Sequence, residues 1–308
     1  MRRADRVDFL EKVQGINIWK KGGRRAPHKP LLLLLALGRA YRKEDRLGSY
    51  GGDIEDRLRG LLKRFGPPRR ADHPEEPYAR LQGDGLWEIP GYDELPVRKS
   101  GGPLLKALRQ SQGGFPEPLY DLLRTDPVLV VETAQEILDG HFPRSMHADI
   151  RDAVGVPEYM YRRPEAQEHV VSEKRDPGFR HNVLRAYQRR CAVCGFDVRI
   201  DDRLLGLEAA HIQWHAAGGP DIVPNGLALC MFHHKALDVG ALGLERVGGG
   251  VRVLVSSEVN GRSAGIRQLL DYRGARLRPP QSESLAPDPG FVAWHRREVF
   301  REPAWDAA

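Results

Sequence analysis

The placement of three cysteines constrains this chain more than any other feature. They occur as Cys191-Ala-Val-Cys194-Gly and as Cys230-Met-Phe-His233, separated by residues 195–229. Two Cys-x-x-ligand knuckles are what a tetrahedral zinc site needs, because each knuckle supplies two ligands from one tight turn. An odd number of cysteines argues against a disulfide framework. The spacing therefore predicts a structural Zn²⁺ ion held by Cys191, Cys194, Cys230 and His233. A chain pinned in this way must fold the segment between its knuckles back on itself.

That segment carries further chemistry. It reads Leu207-Glu-Ala-Ala-His211-Ile, then Gly218-Gly-Pro, then Asn225-Gly-Leu, and it closes on His233-His234. Leu207 to Ile212 has the character of a short strand, Gly218-Gly-Pro of a turn, and Asn225-Gly of a loop, with the segment from Leu227 leading into a helix. His211, at the end of the strand, is expected to act as a general base on water, because a neutral imidazole titrates near working pH. Adjacent helical side chains point roughly 100° apart. His233 can thus face the zinc while His234 faces a cleft and holds a catalytic divalent cation, Mg²⁺ or Mn²⁺. Asn225 is expected to fix the loop and orient His211, since an amide both donates and accepts.

Ala210-His211-Ile212, the Asn225-Gly-Leu-Ala-Leu-Cys segment and His233-His234 together resemble the HNH endonucleases over roughly residues 179–245. The resemblance implies a ββα-metal fold, with His211, Asn225 and His234 as the catalytic set. One position departs from the pattern. Many relatives carry an acidic metal ligand directly before the first histidine, where this chain has Ala210. Glu208 is expected to be a poor substitute, because strand alternation sets it on the face opposite His211. Asp238, one helical turn after His234, is the alternative support for the metal or a histidine.

At 308 residues the chain is long enough for two domains with separate cores. The polar, proline-punctuated stretch around Pro157 and Pro164 marks a junction. The expected organisation is a DNA-reading domain over 1–155, a linker over 156–177 and a nuclease domain over 178–308. The fold class expected is α+β, with a mainly helical N-terminal domain bearing a small sheet and a C-terminal ββα-metal domain bearing a zinc knuckle. Residues 1–110 hold 24 basic and 15 acidic residues, a net of +9, which points to a polyanionic partner. Lys20 to Pro30 forms a basic, Gly- and Pro-rich loop leading into Leu31–Leu37, read as a buried helix that starts at Pro30. Helices are also expected over 103–111, 117–124, 132–140 and 179–190, and in an aromatic segment around Phe291 and Trp294. A hairpin is expected at Gln82-Gly-Asp-Gly-Leu.

The front half also carries a resemblance. Arg25-Ala-Pro-His-Lys-Pro-Leu-Leu-Leu, the Pro77-Tyr-Ala-Arg-Leu-Gln-Gly-Asp-Gly-Leu-Trp87 segment and Leu138-Asp-Gly-His-Phe-Pro143 are similar to the sulfur-binding domain of McrA-type enzymes. With the HNH half, this implies a type IV, modification-dependent restriction endonuclease that cuts phosphorothioate-containing double-stranded DNA. Sulfur in place of a phosphate oxygen is larger, more polarisable and a weaker acceptor, so its reader should combine an apolar dimple with cations. Pro77 and Tyr78 are the candidates for the dimple, and Arg25, His28, Lys29 and Arg80 for the cations.

Two other readings stay open on the residues alone. One is an HNH enzyme that reads a methylated base through an aromatic or base-flipping pocket. The other is a non-catalytic, zinc-containing DNA-binding protein. A homodimer is compatible with either. The N-terminus shows no secretory pattern and no apolar run reaches membrane-spanning length, so a cytoplasmic protein without a membrane partner is expected.

Overall fold

The structure is a computed structural model that describes residues 3–18, 24–99, 101–158 and 176–305. Most of the expected linker and part of the basic loop before Pro30 lie outside the described residues. The chain divides into two compact units, Met1–His141 with His147–Val170, and Phe142–Met146 with Val171–Ala308. The first half contributes α1 (Arg3–Gln14), α2 (His28–Tyr41), α3 (Glu55–Phe65), α4 (Glu75–Arg80), α5 (Leu105–Leu108), α6 (Glu117–Thr125), α7 (Pro127–His141) and α8 (Arg144–Val154). Its small antiparallel sheet joins β1 (Gly48–Ser49) to β2 (Gln112–Gly113).

Helix α2 explains its own sequence. Helices α3, α4, α6 and α7 all pack against it. Leu31 to Leu35 are therefore buried on every side, and an all-round apolar helix is what a central position requires. Each leucine removed from water in this way contributes about 1.5–3 kcal/mol of gross driving force. The helix starts two residues earlier than expected, at His28, which leaves Pro30 in the first turn, where its missing N–H costs nothing.

Several local expectations are corrected here. The hairpin at residues 82–86 does not form. Ala79 and Arg80 end α4, and Leu81–Asp84 make a 3₁₀ turn that closes on Gly85 at φ +69°. The turn chemistry was read correctly, but a helix rather than a strand precedes it. The helix expected at 103–111 shortens to 105–108, and that at 132–140 extends back to Pro127.

The second unit contains α9 (Pro177–Ala186), the hairpin β3 (Arg199–Ile200) and β4 (Arg203–Leu204), then β5 (Leu207–His211), β6 (Gly226–Cys230) and α10 (Met231–Asp238). A second hairpin, β7 (Leu242–Val247) with β8 (Gly250–Val255), is followed by α11 (Arg267–Leu270) and α12 (Pro289–Glu298). Strands β5 and β6 pair antiparallel, from Leu207 opposite Cys230 to His211 opposite Gly226. The segment from Leu227 is thus strand as far as Cys230, and the helix begins only at Met231. Helices α9 and α10 both pack on this hairpin. Among the described residues, no helix is long and apolar enough to cross a membrane.

Gly38 on α2 is a point of obligatory close approach. A Cβ there would lie 1.9 Å from the Val154 carbonyl oxygen at the end of α8, and neither backbone can retreat without repacking the helical core. Gly38→Ala should therefore destabilise the helical half by about 1–3 kcal/mol, the usual cost of overpacking. Thermal unfolding of the full chain checks this. An unchanged melting transition would contradict the α2–α8 contact.

Candidate functional site

Each cysteine knuckle is built differently. Cys191 to Gly195 is a tight turn in which the Gly195 amide donates to Cys191 O at 2.9 Å. The second knuckle is the junction of β6 and α10, with Cys230 as the residue before the helix and His233 in its first turn. The Ala192 amide donates to Ala228 O at 2.7 Å, which holds the first knuckle against the strand leading to the second.

The four side chains converge. Their ligand atoms all lie within 4.8 Å of one another. Cys194 Sγ is 4.0 Å from Cys230 Sγ, and His233 Nδ1 lies 3.6 Å from Cys191 Sγ and 3.1 Å from Cys230 Sγ. Zinc with bonds near 2.3 Å to sulfur and 2.0–2.1 Å to nitrogen spans tetrahedral edges of about 3.5–3.8 Å. The cluster thus has the dimensions of a structural zinc site. The His233 Nε2–H donates to Gln268 O at 2.8 Å, which fixes the tautomer and turns Nδ1 toward the sulfurs.

The β5–β6 hairpin carries the remaining histidines. His211 is mostly buried, with its ring stacked on Phe179 of α9 at 4.1 Å and His215 edge-on at 5.8 Å. Its Nε2 is 2.7 Å from Asp221 Oδ1. Burial works to raise the Asp221 carboxyl, but hydrogen bonds from His211 and from the Asp176 amide outweigh it and hold the group below the usual carboxylate range.

Asn225 is fully buried and clamps the loop between the strands. Its Oδ1 accepts from the Gln213 amide at 2.8 Å, and its Nδ2 donates to the Gln213 and Pro220 carbonyls at 3.0 Å each. A Cβ at Gly219 would sit 1.9 Å from Gln213 O, so only glycine permits the loop to fold this tightly. The Asn225 amide holds the loop, while Phe179 and Asp221 lie against the His211 imidazole, so Asn225 bears on His211 through the loop.

His234 projects away from the zinc cluster. Its Nδ1 is 2.6 Å from Glu208 Oε2, and its Nε2 is 3.4 Å from Asp238 Oδ2. Glu208 thus lies beside His234 rather than His211. Strand alternation does place it opposite His211, but it also places it on the same face as position 210, two residues along and facing α10. The His234 hydrogen bond holds the Glu208 carboxyl below its ordinary range, while burial pushes that of Asp238 up. Asp221 was missed altogether, because a Pro-Asp pair in a turn carries no signal of its partner.

In the N-terminal half, a cleft of about 830 Å³ is lined by residues that include Arg24, Arg25, His28, Lys29, Arg69, Pro77, Arg80 and Asp84. Five of the six proposed sulfur-reading residues therefore share it. Tyr78 does not line it. It is completely buried, its ring 4.3 Å from Tyr50 and 5.7 Å from Trp87, because the turn of α4 that sets the buried Pro77 in the cleft wall points Tyr78 into the core. Arg25 is largely buried and donates to Phe65 O at 2.7 Å, Lys29 is paired with Asp84, and the exposed Arg80 is paired with Glu76. Burial, together with the nearby charges of His73 and Arg69, holds His28 below its ordinary range.

Comparison with known proteins places these features in families. The model described as ScoMcrA-like, DNA sulfur-binding domain matches residues 6–159, half of the chain, and an HNH endonuclease model matches residues 191–245. Among solved structures, the sulfur binding domain of ScoMcrA complexed with phosphorothioated DNA is 24% identical, with 47% of this chain and 98% of that one covered and a TM-score of 0.42. The sulfur binding domain of SprMcrA complexed with phosphorothioated DNA is 27% identical, with coverage of 49% and 94% and a TM-score of 0.41. The type IV phosphorothioation-dependent restriction endonuclease ScoMcrA is 25% identical, with coverage of 47% and 33% and a TM-score of 0.41. No curated protein matches the chain.

The knuckle geometry makes a direct demand on stability. Purified full-length chain should contain one equivalent of zinc, and Cys194→Ser should lose it along with the cooperative unfolding of the C-terminal half, since zinc binding there contributes folding free energy. Elemental analysis alongside thermal melts checks both. Wild-type protein without zinc, or a variant with unaltered melting, would contradict the site.

Proposed function

The chain belongs to the ScoMcrA-like DNA sulfur-binding domain family, and from that premise we propose that it is a modification-dependent DNA endonuclease, which binds phosphorothioate-bearing duplex through its N-terminal half and hydrolyses phosphodiester bonds with its HNH half. One observation carries the reading. A single chain holds a basic cleft walled by Pro77 within the sulfur-binding match, and a mostly buried histidine–carboxylate pair within the HNH match.

In the cutting site, His211 takes the proton from water through Nδ1 as the water oxygen forms its bond to phosphorus and the bond from phosphorus to the leaving oxygen breaks. Asn225 keeps the loop closed beneath it. His234, with the carboxylates of Glu208 and Asp238 beside it, offers the hard oxygen and imidazole donors that suit Mg²⁺ or Mn²⁺. Bound there, the cation would neutralise charge on the scissile phosphate and the departing oxygen.

In the reading site, Pro77 supplies an apolar wall. Arg24, Arg69 and Arg80 bring positive charge to the same cleft, and Lys29 is tempered by Asp84. Covering a few tens of Å² of sulfur yields only about 1 kcal/mol. An ordinary phosphate oxygen pressed against the same wall without a donor costs roughly 1–3 kcal/mol. Discrimination therefore comes chiefly from the penalty on ordinary DNA.

Two outcomes follow for the full-length protein. In equilibrium binding at physiological salt, matched duplexes with and without a phosphorothioate should differ by about 2–4 kcal/mol, or roughly 30- to 1,000-fold. Pro77→Ala should narrow that gap, whereas Arg80→Ala should weaken both duplexes alike. Equal wild-type affinity for the two duplexes would eliminate sulfur reading. In cleavage assays, His211→Ala should abolish cutting while the chain stays folded and still binds the duplex, and a variant that cuts at the wild-type rate would remove His211 from the chemistry.

A further inference from the structure

His211 faces a carboxylate held on both of its oxygens. Asp221 Oδ1 accepts from the imidazole at 2.7 Å, and Oδ2 accepts from the Asp176 backbone amide, also at 2.7 Å, at the start of α9. The His211 and Asp221 side chains are only 13% and 12% exposed. Rotation of Asp221 would break two short, charge-assisted hydrogen bonds in a site that admits little water. The chain also connects this pair to Asn225, whose amide holds the Pro220 carbonyl one residue before Asp221. A carboxylate only accepts, which assigns the neutral imidazole's proton to Nε2 and its lone pair to Nδ1.

We propose that Asp221 is the positioning residue of the cutting site, holding His211 in the Nε2–H tautomer so that Nδ1 receives the proton of the attacking water, and stabilising the imidazolium that results. The inference rests on the reading of His211 as the general base. Asp221 exchanges no proton in the step. The proton moves from water to Nδ1 and leaves to solvent after the phosphodiester has broken. The depressed carboxyl of Asp221, held down by the hydrogen bonds from His211 and the Asp176 amide, agrees with this. The arrangement also gives Asn225 a function at a distance, since closing the loop is what delivers Asp221.

Asp221→Asn separates positioning from simple loop anchoring. The Asp176 amide is a fixed donor, so the new side chain must turn its oxygen toward that amide and its NH₂ toward His211. Nε2 then has to accept, and the imidazole proton shifts to Nδ1, the wrong nitrogen for a base. Size and both contacts are retained, so melting and duplex affinity should not move. Single-turnover cleavage of a phosphorothioate-bearing duplex should fall roughly 100- to 1,000-fold. Nitrogen-15 spectra of histidine-labelled full-length protein, with His211 assigned by His211→Gln, should show Nε2–H in the wild type and Nδ1–H in Asp221→Asn. A wild-type His211 protonated on Nδ1, or an Asp221→Asn protein that cuts at the wild-type rate while His211→Ala is inert, would overturn the proposal and leave the nuclease reading standing. A wild type that cuts no duplex would overturn the nuclease reading itself, and this inference with it.

Discussion

The convergence of Cys191, Cys194, Cys230 and His233 is the constraint on which the C-terminal half depends. It fixes the end of β6 and the first turn of α10 in one place. Every other feature of the site follows from that junction by short steps. His234 is the next residue after a zinc-facing histidine, so the helix rotates it away from the cluster toward Glu208 and Asp238. His211 stands at the far end of the strand paired to β6, opposite Gly226. A shift of one residue in that pairing would turn His211 and Glu208 to each other's faces and dismantle both clusters.

The loop between the strands adds a second layer of control. Asn225 satisfies three hydrogen bonds from a completely buried position. Removing its amide would strand the Gln213 backbone groups in a dry site, at about 1–3 kcal/mol for each buried group left unmet. The positive charge of the N-terminal half is treated differently. Much of it is neutralised internally: Arg39 and Arg57 pair with Glu44 and Asp53, and Arg59 and Arg109 pair with Glu55. What faces the cleft is a local concentration of arginines, and it is this placement that sets the field a DNA backbone would meet.

The sequence made some of this legible and left the rest hidden, for physical reasons. The metal ligands were readable because a knuckle is a local spacing rule. The central helix was readable because Leu31 to Leu37 has no other place to go. His211 and His234 stand out in the sequence by motif, but the carboxylates that meet them do not. Asp221 meets His211 through a loop fold set by Asn225 and Gly219, which no periodicity encodes. Glu208 meets His234 because alternation sets it on the face of position 210, against the helix packed over it. Tyr78 lies in the core because its turn-rich neighbourhood folds as a helix, and the 100° step between residues 77 and 78 sends one side chain to the cleft and the other inward.

The central claim is that one half of the chain reads a sulfur mark and the other half cuts because of it. The most direct measurement is a competition in one tube: zinc-replete full-length protein, Mg²⁺ or Mn²⁺, and two differently labelled duplexes of identical sequence, one bearing a phosphorothioate. The account predicts that the modified duplex is cut while its unmodified competitor stays intact. Cutting of both duplexes at the same rate would contradict it.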